Sequence, residues 1–289
     1  MSLGILTNVA ATYAQNNLNQ TQGSLQTVLQ QLSSGSRINS GADDAAGLSV
    51  ADGLKANQAA LNQSAQNAQN GVGLLQTADG ALSQVTSLLT RAVTLATEAA
   101  NAGLTTAQAT AADTEFQSII TEIGNIGSST NFNSTNVFSA TATNFVVSDG
   151  TTAGTTTIAA TTGALANTSI GTATGGGAGI DLSTQTLTGA TPAAGQTAAK
   201  AALALISSAI ADVANQRGAI GANINQLNAA AQVASSESVN LSSAESAIRS
   251  TNYGQATSDL AKFQVLDQTG ISALAQANSV QRDILKLIQ

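Results

Sequence analysis

The sequence contains no histidine, no cysteine and no tryptophan, and only one proline, Pro192, in 289 residues. Without histidine or cysteine the chain can form neither a Ser-His-Asp nor a Cys-His catalytic system, and it cannot form a disulfide. The same absences exclude zinc sites with imidazole or thiolate ligands. We therefore predict no enzyme activity, no catalytic residue, no cofactor and no bound metal.

Charge and aromatic bulk are also scarce. The chain has 9 Lys and Arg against 16 Asp and Glu, a net charge of −7, and so lacks the clustered cations of nucleic-acid binding proteins. No apolar run approaches the roughly 20 residues of a membrane span, so we expect no membrane partner. The N-terminal MSLGILTNVAATYAQNN lacks the basic and long apolar regions of a signal peptide. We expect a protein that either stays inside or leaves by a route without a cleaved signal.

What the chain does contain is aliphatic and helix-forming, since 43% of its residues are hydrophobic. The first 36 residues carry no charge, but apolar side chains recur at helical spacing between Gln and Asn. These residues are Leu3, Leu6, Val9, Leu18, Leu25, Val28, Leu29 and Leu32. A helix of about 30 such residues has too little apolar area to be stable alone.

Two longer segments step by three and four residues, the pattern of a coiled-coil seam. The first, about 46–101, carries Leu54, Leu61, Ala65, Ala68, Val72, Leu75, Leu82, Leu89, Val93 and Ala96. The second, about 200–250, carries Leu203, Ile206, Ile210, Val213, Arg217, Ile220, Ile224, Leu227, Ala231 and Ala234. Arg217 is the sole charged member of the second seam, and the first seam has polar breaks at Gln58, Asp79 and Thr86. Both patterns predict long helices packed side by side.

The remaining segments complete the layout. Gly103 is a candidate stop for the first long helix, and Thr105 with Gln108 predicts a capping box for a second helix. Residues 131–199 are rich in Thr, Ser and Gly and predict a small β-rich insert. A break at 252–254 precedes a final helix, about 256–289. Its apolar residues are Leu260, Phe263, Leu266, Ile271, Leu274, Val280, Ile284, Leu287 and Ile288.

We therefore predict a mainly α fold: a long antiparallel coiled-coil helical rod, a small β-rich central insert, and two terminal helices paired as a coiled coil. The predicted domains are 1–36 plus 254–289, an inner-core domain of terminal helices; 37–130 plus 198–253, a helical rod; and 131–197, a surface-exposed variable insert. Two terminal helices can bury their apolar faces only partly against each other, so the rest of the seam needs other copies of the chain.

Two motifs have alternative interpretations. Asp43 and Asp44 are adjacent carboxylates that could bind a cation or act as acid and base, but they also suit the N-terminus of a helix, which we favour. The Gly-rich run 175–179 lacks the Lys-Ser/Thr of a phosphate-binding loop. We interpret it as a surface turn.

The near absence of charge at both ends favours assembly over a lipid-surface helix, because a lipid-surface helix prefers Lys and Arg on its polar face. Identical charged helices would also repel one another when packed side by side in a poorly hydrated site. Asn and Gln can form hydrogen bonds there without this repulsion.

Both ends of the sequence resemble bacterial flagellins. The matching N-terminal residues are 15–19 (QNNLN), 32–40 (LSSGSRINS) and 43–47 (DDAAG), and the matching C-terminal residues are 274–278 (LAQAN) and 284–288 (ILKLI). The resemblance covers roughly 1–139 and 200–289. It implies a structural subunit that self-assembles into the helical flagellar filament used for swimming, with a hook–filament junction protein of the same family as the alternative. An enzyme acting through Asp43 and Asp44 alone is a third hypothesis.

The resemblance also implies partners and location: the chain itself as a homopolymer, an export chaperone, the filament cap and hook-associated proteins, outside the cell in the flagellum. Residues 89–95 (LTRAVTL) resemble the helix recognised by the flagellin-sensing Toll-like receptor. By this resemblance the receptor-recognised residues would be Arg91, Leu95 and Glu115. The subunit-interface candidates are a subset of the terminal apolar residues: Leu3, Leu6, Val9, Leu18, Leu25, Leu32, Leu260, Phe263, Leu274, Ile284 and Leu287.

Overall fold

The computed structural model describes residues 8–148, 157–171 and 179–288, with side chains described up to Arg282. Five helices account for most of this part of the chain: α1 Val9–Ser34, α2 Ala45–Ala99, α3 Thr106–Ser129, α4 Pro192–Arg249 and α5 Tyr253–Ile288. The predicted mainly α fold is confirmed. Residues 1–7, and with them Leu3 and Leu6, lie outside the described residues, as does most of the Gly-rich run 175–179.

The chain divides into two compact units. The terminal unit comprises Met1–Ala56 and Asn240–Gln289, and the central unit comprises Asn57–Val239. Helices α2 and α4 each contribute residues to both units. The division into three domains stays a prediction.

In the central unit, α2 and α4 run antiparallel. Asp79 Oδ1 accepts a hydrogen bond from Arg217 Nε at 2.7 Å, and Ser238 donates to Asn62 Oδ1 at 2.9 Å. As the residue number rises along α2 it therefore falls along α4. Helix α3 packs beside them, with Phe116, Ile120 and Ile123 buried in the shared core.

The first line of the predicted coiled-coil seam is fully buried from Leu61 to Ala96, whereas Val72, Val93 and Ile210 of the predicted second line are partly buried and pack against the same core. Leu61, Ala68, Leu75, Leu82, Leu89 and Ala96 repeat every seven residues and are all buried, as predicted. The second buried line of α2 is Ser64, Gly71, Ala78, Val85, Ala92 and Ala99, one residue before the predicted Ala65, Val72 and Val93. The likewise shifted line of α4 includes Ala202, Ala209 and Gln216 in place of Leu203, Ile210 and Arg217. Small side chains at these positions let the helices approach closely.

The capping box of α3 is confirmed, because Thr105 and Gln108 bond each other's backbone N–H groups. Three helix ends differ from their predicted positions. Helix α2 ends at Ala99, four residues before Gly103. Helix α4 begins at Pro192, ahead of the predicted boundary at 198, because Pro suits the first helical position and the Thr191 hydroxyl accepts from Ala194 N at 3.2 Å. Helix α5 begins at Tyr253, because the Asn252 side chain caps it by accepting from Gln255 N at 3.2 Å.

The segment between α3 and α4 forms two small antiparallel hairpins. Strands β1 Asn131–Phe132 and β2 Thr135–Asn136 pair across a turn whose two central residues, Asn133 and Ser134, both have positive φ. Strands β3 Thr143–Val146 and β4 Thr157–Ala160 pair with Phe145 opposite Ile158. Within the described part of the insert, the buried apolar residues join the core of the helices. These are Val137, Phe138, Ile158, Ala160, Leu165, Ile170, Leu182 and Leu187.

By length and composition alone, α4 could cross a membrane. The prediction that no segment meets this criterion is therefore wrong for this helix. Core helices pass the same test, and Ile206, Val213 and Ile220 of α4 are buried in the central core. Its alanine-rich seam accounts for the apolar composition.

Candidate functional site

Helix α1 is built without a single charged side chain. Asn8 caps its N-terminus, since its Oδ1 accepts a hydrogen bond from Ala11 N at 2.9 Å. The helix ends at Gly35, which has φ 69°, a left-handed conformation that favours glycine. Along the helix, the hydroxyls of Thr21, Ser24 and Thr27 each donate to the carbonyl four residues back. These polar side chains are thus satisfied within their own helix.

Helices α1 and α5 pack antiparallel within the terminal unit. Asn8 Nδ2 donates to Ala277 O at 3.0 Å near one end, and Thr251 Oγ1 donates to Gln31 O at 3.3 Å near the other. Between them, Leu18 lies against Gly270, where an added Cβ would stand 3.2 Å from Leu18 Cδ1. The absence of a side chain at Gly270 brings the two helices together at this level.

The segments next to these helices are joined by backbone hydrogen bonds, also within the terminal unit. Thr251 N donates to Gly35 O at 3.0 Å, and Arg37 N donates to Arg249 O at 2.7 Å. The Arg37 guanidinium also donates to Ile248 O at 3.0 Å. This backbone pairing fixes the C-terminal end of α1 against the start of α5.

The predicted interface residues fall into three groups. Leu18, Leu25, Leu32, Leu260, Phe263 and Leu274 are half-buried, and Val9 is exposed. Leu3 and Leu6 lie outside the described residues. Ile284 and Leu287 lie on the last turns of α5, beyond the described side chains. That these residues contact other subunits stays a prediction.

The terminal unit leaves a second set of apolar side chains exposed. On α1 and α5 this set comprises Val9, Tyr13, Leu29, Tyr253, Val265, Leu266, Ile271 and Val280. They are exposed because a pair of helices covers only the facing side of each. Spacing in the sequence identified Leu29, Leu266, Ile271 and Val280 as apolar helix residues but missed Tyr13, Tyr253 and Val265.

Three residues match positions that a Toll-like receptor recognises in the flagellin family by resemblance. Two of them, Arg91 of α2 and Glu115 of α3, form an ion pair in the central unit. Arg91 Nε lies 2.8 Å from Glu115 Oε1, and both side chains are about half exposed. The hydrogen bond from Arg91 lowers the pKa of Glu115, and the same bond raises the pKa of Arg91. Leu95 is only 3% exposed and packs in the core. A partner at the surface could contact the ion pair but not Leu95.

The adjacent carboxylates have different roles: Asp43 stabilises the loop before α2, and Asp44 caps the N-terminus of α2. Asp43 Oδ2 accepts from the backbone N–H groups of Asn39 and Ser40 at 3.0 and 2.8 Å, and these bonds lower the pKa of Asp43. Asp44 Oδ1 accepts from Gly47 N at 2.8 Å in the first turn of α2. The favoured interpretation of a helix N-terminus is confirmed. No group of three potential metal ligands occurs among the described residues.

The fold and this terminal surface define a class of helical structural subunit, with a well-buried core and two terminal helices whose apolar side chains remain partly uncovered. Residues 5–143 match the bacterial flagellin N-terminal helical region, and residues 203–288 match the bacterial flagellin C-terminal helical region. The chain belongs to the bacterial flagellin family, a family of structural subunits of the flagellar filament.

Several relatives match over nearly their whole length. A flagellar filament 30.7 kDa core protein of Treponema maltophilum is 32% identical over 97% of this chain and 98% of its own length. A flagellin of Halalkalibacterium halodurans is 30% identical, and one of Listeria innocua is 29% identical, each over 98% of both chains. The predicted family and the filament-subunit function are confirmed, and no observation favours the hook–filament junction alternative.

Proposed function

We propose that this chain polymerises through α1 and α5, whose exposed apolar side chains become covered by other copies of the same chain. The observation that carries the proposal is the exposure of Tyr13 on the uncharged α1 and of Val265 and Ile271 on α5, each more than half exposed. Removing about 100 Å² of such surface from water contributes roughly 2.5 kcal/mol. Several such side chains per subunit supply a driving force for association.

The charge distribution supports the same surface. Helix α1 carries no charge, and α5 carries none between Asp267 and Arg282. In a polymer of identical subunits, equivalent helices lie near one another in a poorly hydrated site where like charges would repel strongly. The uncharged Gln and Asn residues on the outer side of α1 avoid that cost.

The exposed side chains favour an open polymer. They lie on both helices and at both ends of the pair, from Val9 and Val280 at one end to Leu29 and Tyr253 at the other. Contacts between different patches of successive copies do not close and give a helical filament. We therefore propose a heterologous contact between copies.

Truncation tests this proposal. Deleting 1–36 or 253–289 should abolish filaments seen by negative-stain microscopy and leave a helical protein by circular dichroism, because the buried core belongs to the central unit. The full-length chain is the positive control. Normal filaments from either truncated chain would show that the terminal helices are not the principal contact.

Family membership supports several finer proposals about partners and location. The subunit is exported without a cleaved signal peptide to an extracellular flagellum, an export chaperone binds the α5 tail, and cap and hook-associated proteins meet the polymer at its ends.

If the Toll-like receptor recognises this chain, the exposed Arg91 and Glu115 are the side chains it contacts. An Arg91→Met variant that signals through the receptor as strongly as the unmodified chain would contradict that assignment.

A further inference from the structure

Four asparagines of the chain are followed by a small residue that favours loss of the side-chain amide. The sequence contains three Asn-Ser dipeptides, at Asn39, Asn133 and Asn278, and one Asn-Gly dipeptide, at Asn70. Asparagine is a heat-labile residue of proteins, and a small following residue leaves the next backbone nitrogen open to react with its side chain. By sequence alone, Asn70 is the most reactive of the four.

The reaction is intramolecular and needs only water. The backbone nitrogen of the following residue attacks the asparagine Cγ, its proton passes through solvent to the side-chain nitrogen, and that nitrogen leaves as ammonia. Water then opens the resulting succinimide ring to give aspartate or isoaspartate. The attack needs a free side chain, a following N–H without an acceptor, and a backbone that can rotate. Folding can therefore permit it at one dipeptide and prevent it at an identical one.

At Asn39 the structure holds both reacting groups. Asn39 Nδ2 donates to Ser36 O at 2.8 Å, and Ser40 N donates to Asp43 Oδ2 at 2.8 Å. The second bond has a carboxylate acceptor, and such bonds are roughly twice as strong as those between neutral groups. The nitrogen that would attack and the amide that would leave are thus both occupied.

At Asn133 the same dipeptide is unrestrained. Asn133 and Ser134 are the exposed central residues of the turn between β1 and β2, with φ 49° and 62°. Within the described part of the chain, the Asn133 side chain forms no hydrogen bond and Ser134 N donates none. Serine is disfavoured at positive φ, and the hairpin consists of two residue pairs, so this turn opens at little cost.

Helices protect the other two dipeptides. Asn70–Gly71 lies in α2 and Asn278–Ser279 in α5, where the following backbone nitrogen donates to the carbonyl four residues back. Gly71 is also buried, and an added Cβ there would stand 3.0 Å from Leu227 Cδ1. Attack at Asn70 would therefore require α2 to unwind within the core of the central unit.

We propose that Asn133 is a site of spontaneous deamidation in the folded chain, selected by its turn rather than by its dipeptide. This modification is independent of polymerisation and goes beyond the proposed function. Aspartate at this position adds a negative charge to the exposed turn, and isoaspartate also adds a backbone atom to a turn of two residues. Phe132 of β1 lies against Gly73 of α2, where an added Cβ would stand 3.5 Å from Phe132 Cζ. The altered turn therefore loosens the contact between the hairpin and the helix.

Peptide mass spectrometry of the full chain, incubated at mildly alkaline pH, tests the proposal. In the folded chain, Asn133 should deamidate at least about tenfold faster than Asn39, because two hydrogen bonds at Asn39 must break before the attack. Asn70 and Asn278 should also react more slowly than Asn133. In urea, Asn39 and Asn133 should react at rates within about twofold of each other, because the restraints of the folded state are lost. Asn70 should then become the fastest.

Two variants separate the turn from the dipeptide. Asp43→Ala removes the acceptor of Ser40 N and should accelerate deamidation of Asn39 about fivefold or more, while the Asn133 rate stays unchanged. Asn133→Gln should abolish modification of the turn peptide, and circular dichroism checks that both variants keep their helices. If Asn39 reacted as fast as Asn133 in the folded unmodified chain, the proposal would be overturned. An Asn70 rate as high in the folded chain as in urea would also overturn it. None of these measurements requires filaments, so a failure of the proposed function would leave them unaffected.

Discussion

The terminal and central units contain similar helices but bury their apolar side chains to very different extents. Among the described residues, the buried hydrophobic side chains of the terminal unit are Val28, Ile38, Ala51 and Ala256, and all the others are in the central unit. Conversely, nine of the twelve exposed large hydrophobic residues of the described chain belong to the terminal unit. The difference shows which unit is complete in a single copy.

The reason is the number of surfaces that each helix meets. In the central unit, α2 packs with α3, α4 and the insert, so apolar residues on several sides of it are covered. In the terminal unit, α1 and α5 cover only one side of each other. An apolar face therefore remains uncovered where neighbouring elements are missing.

The largest expected effect comes from a leucine in the central core. Leu82→Ala should lower the free energy of unfolding of the central unit by about 2–5 kcal/mol, because Leu82 is completely buried and its removal leaves a cavity. Chemical denaturation followed by circular dichroism measures the loss. Hydrogen exchange of peptides from 61–96 assigns it to the central unit.

Leu266→Ala makes the same chemical change in the terminal unit and is the matched control. Leu266 is 43% exposed, so the isolated subunit should change by no more than about 0.5 kcal/mol. Its effect should appear on assembly, where covering the rest of the side chain contributes about 1 kcal/mol, or roughly a fivefold change in critical concentration. Equal losses in the two isolated variants would remove the distinction between the units.

The next prediction compares a glycine-to-alanine substitution in the central unit with one in the terminal unit. An added Cβ at Gly127 would overlap the carbonyl oxygen of Leu165, so Gly127→Ala should destabilise the central unit by about 1–3 kcal/mol. At Gly23 of α1 an added Cβ would meet no atom within 4 Å, so Gly23→Ala should stabilise the isolated helix by about 0.5–1 kcal/mol. Thermal unfolding and hydrogen exchange measure the two changes. Opposite signs are expected, and a stabilising Gly127→Ala would contradict the described packing of the insert.

The buried positions of the coiled-coil seam could be predicted from the sequence where the side chains are large, but not where they are small. The heptad of large residues, such as Leu75 and Leu82, follows directly from spacing, and so does the Thr105–Gln108 capping box. The second seam does not, because reasoning from hydrophobicity prefers Val72 to Gly71 and Ile210 to Ala209. The structure buries the smaller residue, since close approach of two helices depends on the small side chains between them.

The terminal site was predicted at the level of its helices but not of its side chains. The uncharged α1 and the sparsely charged α5 pointed to these two helices, because composition reports on the environment of a whole segment. That the two helices contact other subunits stays a prediction. Composition does not show which side of α5 faces α1, so the exposure of Val265 and Ile271 came from the structure.

The smallest expected effect is the loss of stability at low pH. It compares the titration of one exposed carboxylate from each unit. Backbone N–H groups of Asn39 and Ser40 hold the pKa of Asp43 in the terminal unit below its ordinary value of 3.8, and Arg91 holds the pKa of Glu115 in the central unit below its ordinary 4.5. Each contribution to stability is therefore complete above the ordinary value and is lost as the pH falls through the lower folded value. In NMR titrations, the Asn39 and Ser40 amide shifts should move with a midpoint below 3.8, and Asp43→Asn should remove this transition while leaving that of Glu115 unchanged. A midpoint at or above 3.8 would show that these backbone bonds do not favour the ionised Asp43.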